Sequence, residues 1–273
     1  MINYNGNLIN DDSASLEILN RGFQYGDGIF ETIIFRNNNI RFKVEHWERV
    51  AESLAVLKIE LPFNMEQFFS NLEGIVRAND LEDKKARLKL YIWRKTGGLY
   101  CPNNSDSEFL LTAAEAENNE TQSLGKVAFG KTVFLQKSIF SEIKTLSALP
   151  YVMAGIEKKE RKLDELILLS QHGFIAEASA SNIYFFDAEK KMIYTPSLES
   201  GCVNGVTRRY LFKNAKRFRL NIQEVMWKPE DLLTNLAVFT VNVAGINSID
   251  KVEDRKMEDA QKGFNILREI FDW

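Results

Sequence analysis

A polar segment near the middle of the chain divides the sequence into two parts. The segment AEAENNETQSLG, from Ala114 to Gly125, lacks periodic apolar residues and is rich in Asn, Glu and Thr, which is typical of an interdomain linker. We therefore predict an N-terminal domain over residues 1–115, a linker over 116–125 and a C-terminal domain over 126–273. A chain of 273 residues is long enough for two domains of ordinary size.

The apolar pattern of the first part predicts both strands and helices. FETIIFRNNNIRF has apolar runs on either side of three asparagines, which indicates a hairpin, and KVEHWERVAESLAVL has apolar residues at helical spacing. A second helix is predicted from Met65 to Ala78, followed by strands at ARLKLYIW and EFLLTA.

The second part has the same mixed character. We predict strands from Lys126 to Leu135 and at ELILLS, KMIYT and LAVFTVNVAG, and helices at about Leu149 to Leu163, at Val206 to Phe218 and in the C-terminal FNILREIFDW. Strands and helices mixed in both parts favour two α/β or α+β lobes, and a two-lobe enzyme usually has its site in the cleft between them.

Composition excludes several classes of function. The net charge of -3 argues against a nucleic-acid or anionic-membrane partner, and no run of about 18 apolar residues occurs. The N-terminal residues have neither a basic start nor an apolar run, so we expect a cytoplasmic protein. Cys101 and Cys202 lie far apart without metal-ligand spacing, so no metal site is expected, and His46 and His172 are the only histidines, which disfavours a Ser/His or Cys/His nucleophile.

Lys144 is a lysine in apolar company, in the segment SEIKTLSALP before a predicted helix. Desolvation disfavours an ammonium ion and lowers its pKa, which is the condition for an amine that forms a Schiff base. The alternative is a lysine whose stem packs on apolar residues while its ammonium reaches solvent. Composition alone leaves both readings open.

Glu177 is a carboxylate in the otherwise apolar stretch FIAEASASNIYFF, followed by small residues. A buried carboxylate needs a cationic or hydrogen-bonding partner. It is therefore either one half of an ion pair in the core or the partner of a cationic ligand for which the small residues leave room.

The segment NGVTRR, from Asn204 to Arg209, is a turn that leads into a predicted helix. Free backbone N–H groups at a helix start form an anion site suited to a phosphate, although most helix starts hold only a cap. Arg49 on an earlier predicted helix could add a positive charge to the same anion, or lie on the surface. The segments FQYGDGIFET and RKTGGLY each contain a glycine turn but match neither a dinucleotide fingerprint nor a P-loop.

Taken in order, these segments resemble the class IV aminotransferases, the fold-type IV family of pyridoxal-phosphate enzymes. This family includes branched-chain aminotransferases, D-amino-acid aminotransferases and 4-amino-4-deoxychorismate lyase. The resemblance spans nearly the whole chain and is carried by seven ordered blocks: RGFQYGDGIFETI, HWERV, RKTGGLY, IKTLSALPYVMAG, DELILLSQHGFIAEASASNIYFF, TPSLESGCVNGVTRR and VFTVNVAGI.

The resemblance implies a role for each candidate residue. Lys144 resembles the lysine that binds pyridoxal 5'-phosphate as a Schiff base and then moves a proton between the substrate Cα and the cofactor. Glu177 resembles the carboxylate that faces the pyridine nitrogen and keeps the ring protonated. The resemblance further implies that the phosphate of the cofactor is bound by Arg49, Val206 and Thr207. Asn242 and Val243 lie in an implied loop on the phosphate and substrate side, and the implied substrate residues are Tyr25, Lys89 and Ala180.

The same resemblance implies a two-domain fold like that of D-amino-acid aminotransferase, with the cofactor in the interdomain cleft, and a homodimer in which the partner chain contributes to each pocket. We expect amino-group transfer between an amino acid and a 2-oxo acid. The alternatives are the lyase reaction, which releases pyruvate from aminodeoxychorismate to form p-aminobenzoate, and a non-catalytic homologue that binds the cofactor. The chain departs from two family patterns. D-amino-acid enzymes have an Arg-x-His carboxylate trap where this chain has Leu99, Tyr100 and Cys101, and branched-chain enzymes have Gly-Thr-Ala where this chain has Val241 to Ala244.

Overall fold

The computed structural model describes residues 1–117 and 121–271, which form two compact units. The first unit contains the described residues of Met1–Asn118 together with Ile143–Ser147, and the second contains those of Asn119–Glu142 and Ala148–Trp273. The predicted bounds of the two domains stay a prediction. Two segments of the structure were not expected from the sequence.

The first difference is the segment that carries Lys144, which belongs to the first unit instead of the C-terminal one. The backbone N–H of Phe30 donates to the carbonyl of Lys144 at 2.9 Å, so the segment joins a strand of the first unit. The second difference is a strand, Thr121–Leu124, inside the predicted linker. Its sequence TQSL has no alternation of apolar and polar residues, so the apolar period does not predict a strand there. The strand forms because its backbone pairs in parallel with Gly245–Ile249.

The first unit contains one antiparallel sheet and three α-helices. Its elements are β1 (Ile2–Tyr4), β2 (Asn7–Ile9), α1 (Arg21–Tyr25), β3 (Gly28–Arg36), β4 (Asn39–Ile40), α2 (Lys43–Leu57), α3 (Met65–Arg77), β5 (Ala86–Arg94) and β6 (Ser107–Glu115). The strand order is β2-β1-β6-β5-β3-β4, and every neighbouring pair is antiparallel. The predicted hairpin, the two long helices and the strands at ARLKLYIW and EFLLTA are thereby confirmed.

Local sequence explains where these elements begin and turn. Asn37 and Asn38 adopt left-handed φ values of 51° and 55°, which asparagine tolerates and a tight hairpin between β3 and β4 requires. Helix α3 begins with a capping box, in which the Asn64 side chain accepts from the Gln67 N–H and the Gln67 side chain accepts from the Asn64 N–H, both at 2.9 Å.

Strand β3 separates two environments in the first unit. Ile29, Ile33 and Phe35 are buried in the core that α2 and α3 cover. Successive side chains of a strand point to opposite faces, so Phe30 and Thr32, which are half-buried, lie on the other face of the sheet. This second face is where the sheet can present polar and aromatic side chains to a ligand.

The described residues of the second unit form two mixed sheets and three α-helices. Its elements are β7 (Thr121–Leu124), β8 (Val127–Leu135), α4 (Leu149–Glu160), β9 (Glu165–Ser170), β10 (Ile175–Ala178), β11 (Asn182–Asp187), β12 (Met192–Pro196), α5 (Val206–Asn214), β13 (Asn221–Val225), β14 (Ala237–Asn242), β15 (Gly245–Ile249), β16 (Lys251–Val252), β17 (Arg255–Lys256) and α6 (Gln261–Phe271). The predicted strands and helices of this part are confirmed within the described residues, although α5 ends at Asn214 and residues Ala215–Phe218 form a 3-10 turn. The last two residues of the predicted C-terminal helix, 272–273, lie outside the described residues.

One sheet of the second unit has the order β10-β9-β8-β16-β17 and the other β13-β12-β11-β14-β15-β7. Strand β11 is buried at every residue and pairs with β12 and β14, so it forms the centre of the larger sheet. The fold class, mixed α and β in two parts, is as predicted. Among the described residues, no helix is both long enough and apolar enough to cross a lipid bilayer.

Candidate active site

Lys144 lies on a short extended segment that pairs with the start of β3. The N–H of Phe30 donates to the Lys144 carbonyl, the N–H of Leu146 donates to the Gly28 carbonyl, both at 2.9 Å, and Ile29 and Thr145 form an antiparallel bridge. The half-buried Lys144 side chain places Nζ 4.4 Å from the centroid of the Phe30 ring. The backbone thus fixes where the amine stands.

The glycines of the FQYGDGIFET segment make this close pairing possible. Gly26 ends α1 with a left-handed φ of 64°, and a Cβ there would overlap the Ser147 hydroxyl. A Cβ on Gly28 would overlap the Ile92 carbonyl of the neighbouring strand. The predicted tight turn is therefore confirmed, and its glycines are required by the approach of the segment after Lys144 and of β5.

Lys89 lies on the same face of the sheet as Phe30. In the register between β3 and β5 it stands opposite Thr32, and its Nζ lies 5.2 Å from the Phe30 ring centroid. Burial, and then the positive charge of Arg87, lowers the pKa of Lys89. The structure thus brings Lys89 and Lys144 together on one aromatic ring, as two candidate residues of the same site.

Tyr25 lies at the end of α1 beside the loop that follows β5. Its ring is 5.6 Å from that of Tyr100, and the guanidinium of Arg21 lies 5.0 Å from its centroid. The same guanidinium is buried, pairs with Asp27 at 2.8 Å and donates from Nη1 to the carbonyls of Gly97, Gly98 and Leu99. These bonds hold the loop that carries the exposed Tyr100 against α1.

Arg49 lies on α2 and is fully engaged with a buried carboxylate. Its Nε and Nη2 donate to Oε1 and Oε2 of Glu31, each at 2.7 Å, and His46 Nδ1 lies 2.7 Å from Glu31 Oε2. Burial alone would raise the pKa of Glu31, but the charges and hydrogen bonds of Arg49 and His46 outweigh it and lower the pKa to about 2. Glu31 alternates with Phe30 along β3, so this cluster lies on the helix-covered face of the sheet and not on the face of Lys144.

Glu177 is buried in β10 of the second unit. The Tyr151 hydroxyl donates to its Oε1 at 2.6 Å, and the Val203 N–H donates to its Oε2 at 3.3 Å. The β9–β10 pairing shifts register between Ile175 and Glu177, which marks an irregularity at the carboxylate. Each oxygen of the Glu177 carboxylate therefore accepts a hydrogen bond within the second unit, which helps to stabilise the buried acid.

Helix α5 begins at Val206, and its N-cap residue, Gly205, has no side chain to cap the first turn. Val206 and Thr207 are both buried. The Asn182 side chain donates to the Val203 carbonyl at 2.8 Å and so ties the approach to the helix to β11. A first turn without a side-chain cap is compatible with an anion bound by backbone N–H groups, and the anion site of the NGVTRR segment stays a prediction.

Asn242 and Val243 lie at the turn between β14 and β15. The Asn242 amide donates to the Ala180 carbonyl at 3.2 Å and to the Ser181 hydroxyl at 3.0 Å, and its Oδ1 accepts from the Ala244 N–H at 2.8 Å. The Asn242 side chain therefore braces the small-residue loop after Glu177 instead of standing free for a ligand. Ala180, in that loop, is exposed.

Sequence reasoning did not single out four residues that contact the candidates: Phe30 beside Lys144, Glu31 and His46 in the Arg49 cluster, and Tyr151 beside Glu177. Glu31 could have been found, because an acid at a core position of an alternating strand needs a partner, and the following helix offers His46 and Arg49 on neighbouring turns. Tyr151 carries no such signal. Its partner Glu177 is 26 residues away, and only the fold brings the two together.

Comparison with known proteins identifies the family. Residues 28–252 match the model of the family described as amino-transferase class IV. A probable branched-chain-amino-acid aminotransferase of Rickettsia bellii is 26% identical over 98% of this chain and 93% of its own length. An aminodeoxychorismate lyase of Bacillus subtilis is 29% identical over 93% of this chain and 87% of its own length.

The fold is shared with solved structures. The branched-chain amino acid aminotransferase of Escherichia coli superposes with a TM-score of 0.86, at 18% identity, over 99% of this chain and 92% of that chain. An antiparallel sheet in the first unit and two mixed sheets in the second, together with these structural neighbours, identify the fold class as that of the fold-type IV pyridoxal-phosphate enzymes. The chain belongs to the class IV aminotransferase family, whose members use pyridoxal phosphate.

The residues of this chain fit that cofactor. Lys144 offers an amine on a fixed backbone, Glu177 offers a buried carboxylate for a ring nitrogen, and the uncapped start of α5 offers N–H groups for a phosphate. Each of these is the kind of group that the cofactor's aldehyde, pyridine nitrogen and phosphate require.

Proposed function

We propose that this protein moves an amino group between an amino acid and a 2-oxo acid with pyridoxal 5'-phosphate. The observation that carries this proposal is the position of Lys144, whose segment is paired to β3 and whose Nζ lies against Phe30. When bound, the cofactor supplies an aldehyde that condenses with amines and a ring that accepts the electron pair released at the substrate Cα. The remaining roles in the proposal are assigned to backbone and side-chain groups of this chain.

Lys144 is the catalytic residue of the proposal. Its amine would hold the cofactor between turnovers and, as a base, would take the proton from the substrate Cα and return it as an acid to the cofactor carbon bound to the amino nitrogen. Pairing to β3 supports this role, because a base must stand at a fixed place to take and return the same proton.

Glu177 holds a proton on the ring nitrogen of the cofactor. Its burial supports this role, because an ion pair in a low-dielectric environment is stronger than the same pair in water. A protonated ring is the better electron acceptor, so Glu177 acts on the proton transfer that Lys144 performs.

The phosphate is held by the first turn of α5, where Val206 and Thr207 offer backbone N–H groups and Thr207 a hydroxyl. The resemblance assigns Arg49 to the same phosphate, but its Nε and Nη2 both donate to Glu31, so the contribution of Arg49 rests on the resemblance alone. Asn242 contributes by holding the small-residue loop, and Val243 through the backbone of the same turn.

Substrate contacts come from Tyr25, Lys89 and Ala180. The shared contact of Lys89 and Lys144 with Phe30 supports Lys89, because an ammonium on the same ring as the reacting amine can meet a carboxylate of the substrate. Tyr25 has a hydroxyl on a ring packed by Arg21 and Tyr100. Ala180 has no side chain beyond Cβ and leaves room for the substrate.

A homodimer is proposed as the active unit. Helix α4 exposes Leu149, Val152, Met153 and Ile156, at helical spacing, with exposed fractions of 68%, 54%, 42% and 44%. An apolar stripe of this kind on a helix is a surface that a second copy can cover. Sedimentation equilibrium of the wild type and of Val152→Glu tests it: the wild type should be a dimer and the variant a monomer. Cytoplasmic location stays a prediction from the sequence.

The lyase reaction is the second candidate, and the 29% identity to an aminodeoxychorismate lyase over 93% of this chain favours it. Both reactions require Lys144 to deprotonate the substrate Cα. Purified protein should be incubated separately with aminodeoxychorismate and with amino acid and 2-oxoglutarate pairs, measuring pyruvate release and glutamate formation. Glutamate formation supports amino transfer, and pyruvate release without glutamate establishes the lyase. If neither product forms, the non-catalytic homologue is the remaining alternative.

A further inference from the structure

The hydroxyl of Tyr151 lies 2.6 Å from Oε1 of Glu177, a short hydrogen bond between a neutral donor and a carboxylate. Tyr151 lies in the first turn of α4, just after Pro150, and Glu177 lies in β10. The Val203 N–H donates to the second oxygen, Oε2, at 3.3 Å. Both carboxylate oxygens therefore accept hydrogen bonds within the second unit.

Tyr151 donates at every physiological pH. Burial raises its pKa well above the ordinary value, and the charge of Glu177 and the hydrogen bond to it raise the pKa further. Cys202 lies near the same carboxylate, and burial, followed by the charge of Glu177, raises the pKa of its thiol to about 12. The phenol and the thiol beside Glu177 both stay neutral.

A hydrogen bond to the charged form of a carboxylate lowers its affinity for a proton. When a carboxylate shares a proton with a pyridine nitrogen, lower proton affinity on the oxygen leaves the proton on the nitrogen. The Tyr151 bond also fixes the rotation of the carboxylate, because one oxygen is anchored to a helix of the same unit.

We propose that Tyr151 is a positioning residue that acts through Glu177: its hydroxyl orients the carboxylate and keeps the shared proton on the ring nitrogen of the cofactor. The inference rests on the proposed function and adds to it a residue outside the set of direct cofactor contacts. The only bond concerned is the one to the shared proton: the N–H bond of the ring nitrogen is kept and no O–H bond forms on Glu177.

The test uses holoenzyme loaded with cofactor labelled with nitrogen-15 in the ring. In wild type the nitrogen chemical shift should be that of a protonated pyridine, and in Tyr151→Phe it should move toward the unprotonated value, while turnover falls about tenfold. Tyr194→Phe is the matched control. It removes a hydroxyl from a half-buried tyrosine of the same unit that packs on Trp227, and it should leave the shift and turnover of wild type.

A double-mutant cycle separates this role from a structural one. If Tyr151 acts through Glu177, the loss caused by Tyr151→Phe should disappear in a Glu177→Gln background, because the charged acceptor is already gone. Equal losses in both backgrounds would overturn the inference. So would a wild-type nitrogen shift in Tyr151→Phe, and circular dichroism should show that each variant is folded.

Failure of the proposed function gives a different result. If wild-type protein shows no visible absorbance band with pyridoxal phosphate, the cofactor role and the inference fall together. If the band forms and Tyr151→Phe keeps the protonated shift and full turnover, only the inference falls.

Discussion

Arg49 and Glu31 form a bidentate ion pair on the helix-covered face of the first unit's sheet, with two N–O distances of 2.7 Å and exposed side-chain fractions of 6% and 2%. His46, itself fully buried, adds a third contact to the same carboxylate. A buried ion pair is stable only when each charge has its partner, so removing one partner leaves a buried charge uncompensated.

Glu31→Gln should therefore destabilise the protein by about 3 kcal/mol, because the guanidinium of Arg49 stays buried without a counter-charge. Urea denaturation at pH 7 measures the loss. The control is Glu115→Gln, which breaks an exposed pair with Lys84 and should change stability little. Equal effects of the two changes would show that burial does not matter here.

The stability of the wild type should fall on acidification, in a window that Glu31 defines. Its pKa is lowered from an ordinary value of 4.5 to about 2, so its contribution is present above pH 4.5 and is lost as the pH falls toward 2. Glu31→Gln should show a shallower decline over this window when unfolding is measured at pH 5, 4 and 3. The stability of Glu31→Gln should still decline somewhat over this window, because Glu157 also titrates there. Its hydrogen bonds outweigh the effect of burial and lower the pKa of Glu157 to about 2. A decline as steep as that of wild type would contradict the assignment.

Lys89→Met should raise the KM for the amino donor about tenfold or more, because a charge-assisted contact to the substrate carboxylate is lost. Lys89→Arg should restore part of it. Arg87→Met removes an exposed charge from the same strand and should change KM less than twofold. Steady-state kinetics with the amino donor found in the activity assay measures the KM of each variant. Equal effects of the Lys89 and Arg87 changes would mean a general electrostatic effect instead of a contact.

Glu177→Gln should keep the cofactor bound but lower turnover by a factor of about one hundred, because a neutral amide does not stabilise a protonated ring nitrogen. The absorbance band and single-turnover kinetics measure the two effects separately. Glu189→Gln, an exposed change in the same unit, should behave as wild type. Full turnover and an unaltered spectrum in Glu177→Gln would exclude the proposed role.

Much of the fold could be predicted from the sequence, because its long elements carry a clear apolar period. Helix α2 and strand β5 have buried stripes that any core of this size would require. Strands of two residues, such as β16 and β17, are too short to show a period. Strand β7 was missed for another reason, since its polar side chains pack little and its backbone pairing with β15 forms it.

Candidate residues could be chosen from the sequence where a residue type is costly in its local setting. Lys144 and Glu177 each stand among apolar neighbours, which singles them out as candidates without any knowledge of the fold, although a structural role fits the same pattern. The unit to which Lys144 belongs was not predictable. It follows from backbone hydrogen bonds to β3, more than a hundred residues earlier in the chain, and backbone groups carry no sequence signal.

The covalent attachment of the cofactor to Lys144 is the central claim, and peptide mapping tests it most directly. Protein loaded with pyridoxal phosphate should be reduced with borohydride, digested and examined by mass spectrometry. We predict one modified peptide, with the cofactor mass on Lys144, and no stable modification in Lys144→Ala. Modification of Lys89 or another lysine in place of Lys144, or a visible absorbance band that persists in Lys144→Ala, would contradict the claim.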